Sequence, residues 1–529
     1  MSQAAVLPSA SPPLAGARDK ASLEDWLAVA AGMIGSLMAL MDISIVNSAL
    51  PVIQGEIGAT PSEGTWVGTS YLIAEIIVIP LCAWLERLLG LRRLLVIGAS
   101  VFTLFSMVCG FATSLEMMIA GRIGQGLAGG LLIPTALTIV AVRLPPSQQT
   151  IGLAITAMAA LLGPVIGPLL GGWLTEHYSW HLAFFINVPI CAGLLVMLMV
   201  ALPKSRGNMA ELRQADWFGI AGMAIGLGAL TLLLEEGHRE QWLESTFIWQ
   251  LAGASALGFL LVAVGQLRPG RPVIRLALLR SPSLAASIVL LTGLGATLFT
   301  GIFIIPQFLV SIAGYNAYQA GQIAFIGGLV SIPVAMIYPV TFAKIDARLT
   351  IFIALMSIAA ANWLASGLTA QTTGSHFIIS QLFFGFGTTM TAIPLMQSVI
   401  ASVATEDAAE ANSLSSVARN LGGSMGLAAT ASFQQQRYDL HYGQMHATLG
   451  ANDLELQSQL GQSAGMFGGG SEGMEAAYRM IDGQVMLQAS VMTFSDVFLA
   501  LAMISLLVAP FVLLLRPPPP GSALAMGAH

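Results

Sequence analysis

Charge is what this chain has least of. Only 9% of its 529 residues are Asp, Glu, Lys or Arg, and 56% are apolar. A soluble globular domain carries about 25% charged residues, so the composition excludes that class and predicts an integral membrane protein. Lysine is scarcer still. Lys20, Lys204 and Lys344 are its lysines, and none closes a G-x-x-x-x-G-K-[ST] loop, so no phosphate cradle for ATP is expected. Cys82, Cys109 and Cys191 lie in or beside apolar runs without metal or disulfide spacing, and read as small packing residues. The seven histidines fall in loops or at span ends with no H-E-x-x-H pair among them. Neither an enzyme nor a metal or other cofactor is expected.

What is there is a succession of apolar runs of about 20 residues. Fourteen are expected, near 26–49, 66–86, 94–113, 117–140, 151–173, 182–202, 217–235, 247–266, 284–310, 319–341, 350–370, 377–400, 411–433 and 492–515. With an inside N-terminus, every Lys and Arg falls in an inside loop except Arg239, Arg437 and Arg479 outside and Arg122 and Arg419 within spans. That bias predicts both termini in the cytoplasm. Residues 1–25 read as a polar cytoplasmic arm followed by a retained helix, not as a cleavable signal. Two basic loops, 203–216 and 267–283, bracket a pair of spans, so the chain parses as six plus two plus six. The expected units are a bundle at 26–202, the inserted pair with its loops at 203–283, a second bundle at 284–516 and a tail at 517–529. The second bundle carries one long outside loop, about 434–490, whose first part has the pattern of an outward continuation of the preceding helix. Short basic loops recur at corresponding places in the two bundles, ERLLGLRR at 86–93 and AKIDARL at 343–349. Repeated halves of this kind point to a site between them near the midplane.

The stretch GPVIGPLLGG, residues 163–172, spaces Gly163, Gly167 and Gly171 four apart, with Pro164 and Pro168 beside them. On a helix this stacks three glycines on one face, which reads either as a packing seam or as a moving part of a transporter. Around it stand MDISIVNSALP (41–51), Arg122 with Gln125 and Gly126, and WHLAFFINVP (180–189). Together these resemble the fourteen-helix drug:proton antiporters of the major facilitator superfamily, the EmrB/QacA-like group, over nearly all of residues 26–516. The first matches L-D-x-T-V-V-N-x-A-L-P and the second R-x-x-Q-G. Gly163, Gly167, Pro168, Gly171 and Gly172 fit the antiporter pattern G-x-x-x-G-P-x-x-G-G. The loop motif G-x-L-A-D-R-x-G-R-R is eroded: Ala83 replaces its Gly, Arg87 and Leu88 stand at its Asp and Arg, and Glu86 lies one residue early. The EmrB-like branch shares that erosion. The resemblance implies an all-α polytopic fold of two six-helix bundles plus two inserted helices. It also implies inner-membrane efflux coupled to protons, with an EmrA-like periplasmic adaptor and an outer-membrane channel as partners.

Ionisable residues at membrane depth cost about 2.5–3.5 kcal/mol each on insertion scales, which marks Asp42, Glu75, Arg122, Arg419 and Asp496. Asp42 reads as a proton carrier, as a contact for a cationic substrate, or as a capped carboxylate that fixes packing. Glu75 is a second proton-site candidate or the partner of a buried arginine. For Arg122 the resemblance implies a part in proton coupling, and a purely structural pair is the alternative. Arg419 shares a face with Asn412, Ser415, Gly422 and Gly426, suited to lining a cavity or to packing and gating. Asp496 sits at a span end, where a carboxylate is tolerated cheaply. The expected cavity contacts are Asn47, Gln125, Phe303, Gln307, Tyr315, Phe383, Met396 and Arg419. Hydrophobic small molecules, cations among them, and protons are the expected partners in a lipid bilayer, with no nucleic acid. A dedicated exporter of an endogenous fatty acid, siderophore or biosynthetic product is the alternative on the same fold.

Overall fold

The computed structural model describes residues 20–204, 207–268, 272–342, 345–448 and 454–516. Most of the expected arm and the whole tail at 517–529 lie outside the described residues, as do Arg18, Arg206, Arg271 and Lys344. Every regular element among the described residues is helical.

The first bundle opens with α1 (Leu23–Ile57), started by a Ser22/Asp25 capping box and ended by Gly58 at φ 70°. Next come α2 (Trp66–Val78), a single tight turn at Ile79–Leu81 and α3 (Cys82–Leu89). Pro80 in that turn has no N–H to give, so the rod is broken there. Then follow α4 (Leu91–Gly110), α5 (Leu115–Arg143), α6 (Pro146–His177) and α7 (Asn187–Ala201). The inserted pair is α8 (Trp217–Gly237) and α9 (Thr246–Leu267), packed on each other. The second bundle holds α10 (Pro282–Ser311), α11 (Ala317–Thr341), α12 (Ala347–Ala365), α13 (Phe377–Ala401), α14 (Ala408–Thr448), α15 (Leu454–Met466) and α16 (Gly470–Val508).

Among the described residues, 12 helices are long and apolar enough to cross a membrane. Two further rods fall short for visible reasons. The α2–α3 rod is interrupted by its turn, and α14 is rich in Ser, Asn, Gln and Gly. Fourteen crossings are compatible with this arrangement.

The main apolar core of the first bundle continues across the junction to Ala335, Tyr338, Ala354, Met390 and Ile393, and the second bundle has a further core of its own; α1 packs most closely on α6 while α10 packs most closely on α14. The bundles meet where α6 contacts α11 and α13, and where α14 contacts α3 and α5. Inserted helix α8 lies against both α2 and α14, at the junction of the two bundles. The segment 434–490 is helical for most of its length, as α14 runs out to Thr448 and α16 begins at Gly470. Its tight turn is made by Gly468, Gly469 and Gly470, all at positive φ (88°, 72° and 69°), where a side chain would be strained.

Candidate functional site

The glycines of α6 stack against α1. A methyl group added at Gly167 would stand 3.0 Å from Ile45 N and 3.0 Å from Met41 O, and one at Gly171 would stand 2.7 Å from Ile45 O. Gly163 faces Leu40 and Met41 in the same way. Only hydrogen side chains allow that approach. Gly172 points into open space and is not part of the seam. Pro164 and Pro168 lie inside α6 without ending it.

The seam holds α1 so that Asp42 points into the first bundle. Asp42 is fully buried and forms an ion pair with Arg122, also fully buried. Gln125 donates to the same carboxylate at 3.0 Å and Asn187 at 2.7 Å. Arg122 further donates to Val67 O at 3.0 Å and lies 4.3 Å from the Tyr71 ring centre. Asn187 also donates to Ser106 at 3.0 Å, so the network ties α1, α2, α4, α5 and α7 together. Gln125 was expected in the cavity. It is instead one turn from Arg122 on the face toward α1, which places it inside this network.

Glu75 occupies a different setting. It is 2% exposed and lines a cavity of about 140 Å³ between the bundles. Among the described residues its one hydrogen-bond partner is Asn420, which donates at 3.4 Å from across the junction, and Arg419 lies within electrostatic range. The walls include Leu40, Ile43, Asn47, Leu72, Ile76, Phe299 and Leu427. A second space of about 50 Å³ is lined by Ser36, Thr156, Met396 and Arg419 among leucines. Asn47, Met396 and Arg419 are therefore cavity residues. Phe303 and Phe383 are more than two-fifths exposed on the outer surface and line neither space. Gln307 accepts from Gln434, and Tyr315 accepts from the Gly374 amide, so both join elements of the second bundle. Asp496 is paired with Arg437 and His441, each at 2.6 Å, and joins α16 to α14.

At the end of the bundles where α1 begins, polar contacts cross the junction. Arg87 on α3 pairs with Glu410 on α14 at 2.5 Å and with Glu211 at 3.4 Å. Gln397 donates to Thr150 at 2.5 Å, joining α13 to α6. The eroded loop motif thus presents a cation to the second bundle, where the family pattern has an aspartate. Among the described residues, no group of three or more His, Cys, Asp and Glu could hold a metal ion.

Residues 32–427 match the family model described as Major Facilitator Superfamily. The chain belongs to that superfamily. Within it the chain is similar to the EmrB branch. It is 29% identical to the multidrug export protein EmrB of Escherichia coli, covering 94% of this chain and 96% of that one. It is 29% identical to the colistin resistance protein EmrB of Acinetobacter baumannii, covering 90% and 94%. The fatty acid resistance protein FarB of Neisseria gonorrhoeae is 28% identical, covering 96% and 98%. The solved structure of the proton:xylose symporter XylE superposes with a TM-score of 0.57 at 15% identity, covering 92% of this chain and 94% of that one, which fixes the shared fold.

Sequence reasoning left Asn187 without a role, although it stands in the quoted phrase WHLAFFINVP. It also passed over Glu235 and Asn420. A polar residue facing a junction differs in sequence from one facing a loop only through its helical phase, and the ends of α8 and α14 blur that phase.

Proposed function

We propose that this chain exports hydrophobic compounds, cations among them, across an inner membrane in exchange for protons. The observation that carries this reading is Glu75: a carboxylate at membrane depth, in an apolar cavity between two bundles, with a single long hydrogen bond. Such a group can take up a proton or a cation as the cavity changes access. Asp42 and Arg122 stand behind it. Protonating Asp42 removes its charge from the pair with Arg122 and loosens α1 from α5, so the pair is suited to couple a proton to helix movement. The seam of Gly163, Gly167 and Gly171 with Pro168 serves as hinge and seal. The charge bias of the loops supports cytoplasmic termini. With that orientation, the contacts of Arg87 and Gln397 close the cytoplasmic side in this conformation. An adaptor and an outer-membrane channel fit the branch's way of working.

Proteoliposomes holding the purified chain and a trapped pH dye test the reading. Under an imposed pH gradient, a lipophilic cation should trigger proton flux in the wild type and not in Glu75→Gln. Flux that survives the substitution sinks Glu75 as carrier, and absence of flux with every compound sinks antiport. A dedicated exporter of an endogenous amphiphile is the second reading, favoured by the similarity to FarB and by the apolar cavity wall. Long-chain fatty acids in the same panel separate the two.

A further inference from the structure

The central cavity is not built by the two bundles alone. Thr231 and Glu235, one turn apart on inserted helix α8, line it together with Glu75. At 1.5 Å per residue, Glu75 lies about 14 Å along α2 from its far end, whereas Glu235 sits two residues from the far end of α8. The two carboxylates therefore stand at different depths of one space, Glu75 beside Asn420 and Glu235 beside Ser424 one turn further along α14.

Their surroundings differ in a way that points to a ligand. Glu75 has Arg419 within electrostatic range, and Asn420 donates to it. Glu236, the neighbour of Glu235, pairs with Arg239 at 2.5 Å and lines no part of the cavity. Glu235 has the Ser424 hydroxyl beside it and, among the described residues, no cationic partner. No Lys or Arg lines this cavity. A second observation stands independently of the carboxylates: Thr231 is 2% exposed and lines the cavity, and its buried hydroxyl, like the buried Asn420 Oδ1, has no hydrogen-bond partner among the described residues. Buried polar groups of native proteins are as a rule hydrogen-bonded, so these atoms mark a place where a polar or charged guest is received.

We infer that Glu235 is a second anionic contact for an organic cation in the Glu75 cavity, so that the inserted helix pair takes part in substrate selection rather than only bridging the bundles. The guest this chemistry suits is an aryl or alkyl onium ion. Its charge faces the uncompensated carboxylate and the acceptor oxygens of Thr231 and Asn420, and its body lies along Leu72, Ile76 and Phe299. The inference rests on the efflux reading above for the direction in which the guest moves.

The test uses the purified full chain and two probes, tetraphenylphosphonium by equilibrium dialysis and neutral Nile red by fluorescence. Glu235→Gln should weaken tetraphenylphosphonium binding at least fivefold and leave Nile red binding unchanged. Glu235→Asp should retain most of the cation affinity, and Glu236→Gln should match the wild type. Melting curves of all variants report whether each is folded. Wild-type affinity for the cation in Glu235→Gln overturns the inference, and so does an equal loss of both probes. If Glu235→Gln changes nothing while Glu75→Gln still abolishes drug-driven proton flux, the efflux reading stands and the inference falls. If cation binding needs Glu235 but no compound moves protons, the inference stands and antiport falls.

Discussion

The two bundles solve the same packing problem and then part ways. In the first, glycines of α6 bring it against α1; in the second, Gly422 and Gly426 of α14 bring it against Thr292 and Ala296 of α10. Beside the first seam, the charged pair of Asp42 and Arg122 is met by Gln125, Asn187 and the Val67 carbonyl. Beside the second, Arg419 Nε and Nη2 and both side-chain polar atoms of Asn412 are buried without partners. Arg122 Nη2 and Asn187 Oδ1 of the first network are unpartnered too, so the difference lies in the charges: the first bundle pairs its buried cation internally, and the second leaves Arg419 facing Glu75 across the junction. A transporter that rocks two bodies against each other benefits from this division, because one body stays rigid while the other re-forms its contacts in each state.

The largest expected effect comes from filling the seams. Gly167→Val and Gly426→Val each force a branched side chain into backbone, since even a single methyl at Gly426 would stand 2.7 Å from Ala296 Cα. Overpacking of this kind costs about 1–3 kcal/mol where neighbours can shift, and backbone shifts less readily than side chains. Both variants should lose transport and most folded yield. Gly172→Ala, with open space around it, should match the wild type in both. The comparison breaks if one seam tolerates valine, and fluorescence-detected size exclusion of the three variants decides it.

Next in size is removal of one charge from each bundle. Asp42→Asn leaves the Arg122 guanidinium buried without its carboxylate, and breaking a buried pair from one side costs about 3–5 kcal/mol. Arg419→Gln removes a cation that has little to lose by way of bonds. The melting temperature should therefore fall much further in the first variant, whereas transport should fall in both. A larger thermal loss in Arg419→Gln would show that the second bundle is the locked one.

The sequence disclosed these features unevenly. Most spans are legible from apolar runs, because lipid requires about 20 apolar residues of any helix that faces it. The α2–α3 rod and α14 were expected as well, at 66–86 and 411–433, although they face protein on several sides and so can carry Pro80 and a run of Ser, Asn and Gly. Asp42 and Arg122 were each legible as costly charges. Their pairing was not, since 80 residues separate them and only the packing of α1 on α5 joins them. Phe303 and Phe383 were misplaced because an aromatic facing lipid and one facing a drug cavity are identical in sequence. Glu235 escaped for the opposite reason: a carboxylate near a span end is cheap, and its cavity exists only once α8 is docked between α2 and α14.

A smaller effect on stability, and the most direct probe of the division between bundles, concerns Arg87. Its contacts with Glu410 and Glu211 lie at the end where α1 begins, and the guanidinium is 20% exposed. Glu410 is only 2% exposed, so Arg87→Glu should lower the melting temperature, though by less than Asp42→Asn, where both partners are fully buried. The charge reversal should also separate α3 from α14, because like charges then face each other across the junction. A conformation closed at this end loses a latch, and a population shift needs only that differential contact. A cysteine placed at Ala409, which lines the space beside Arg87, should label several-fold faster with a membrane-impermeant maleimide in Arg87→Glu than in wild-type background. Swapping the pair, with Glu410→Arg added, should return labelling toward the wild-type rate. If single and double variants label alike, the contact is a bystander. The closed end would then be held by Gln397 and Thr150, whose bond joins the same two bodies on α13 and α6.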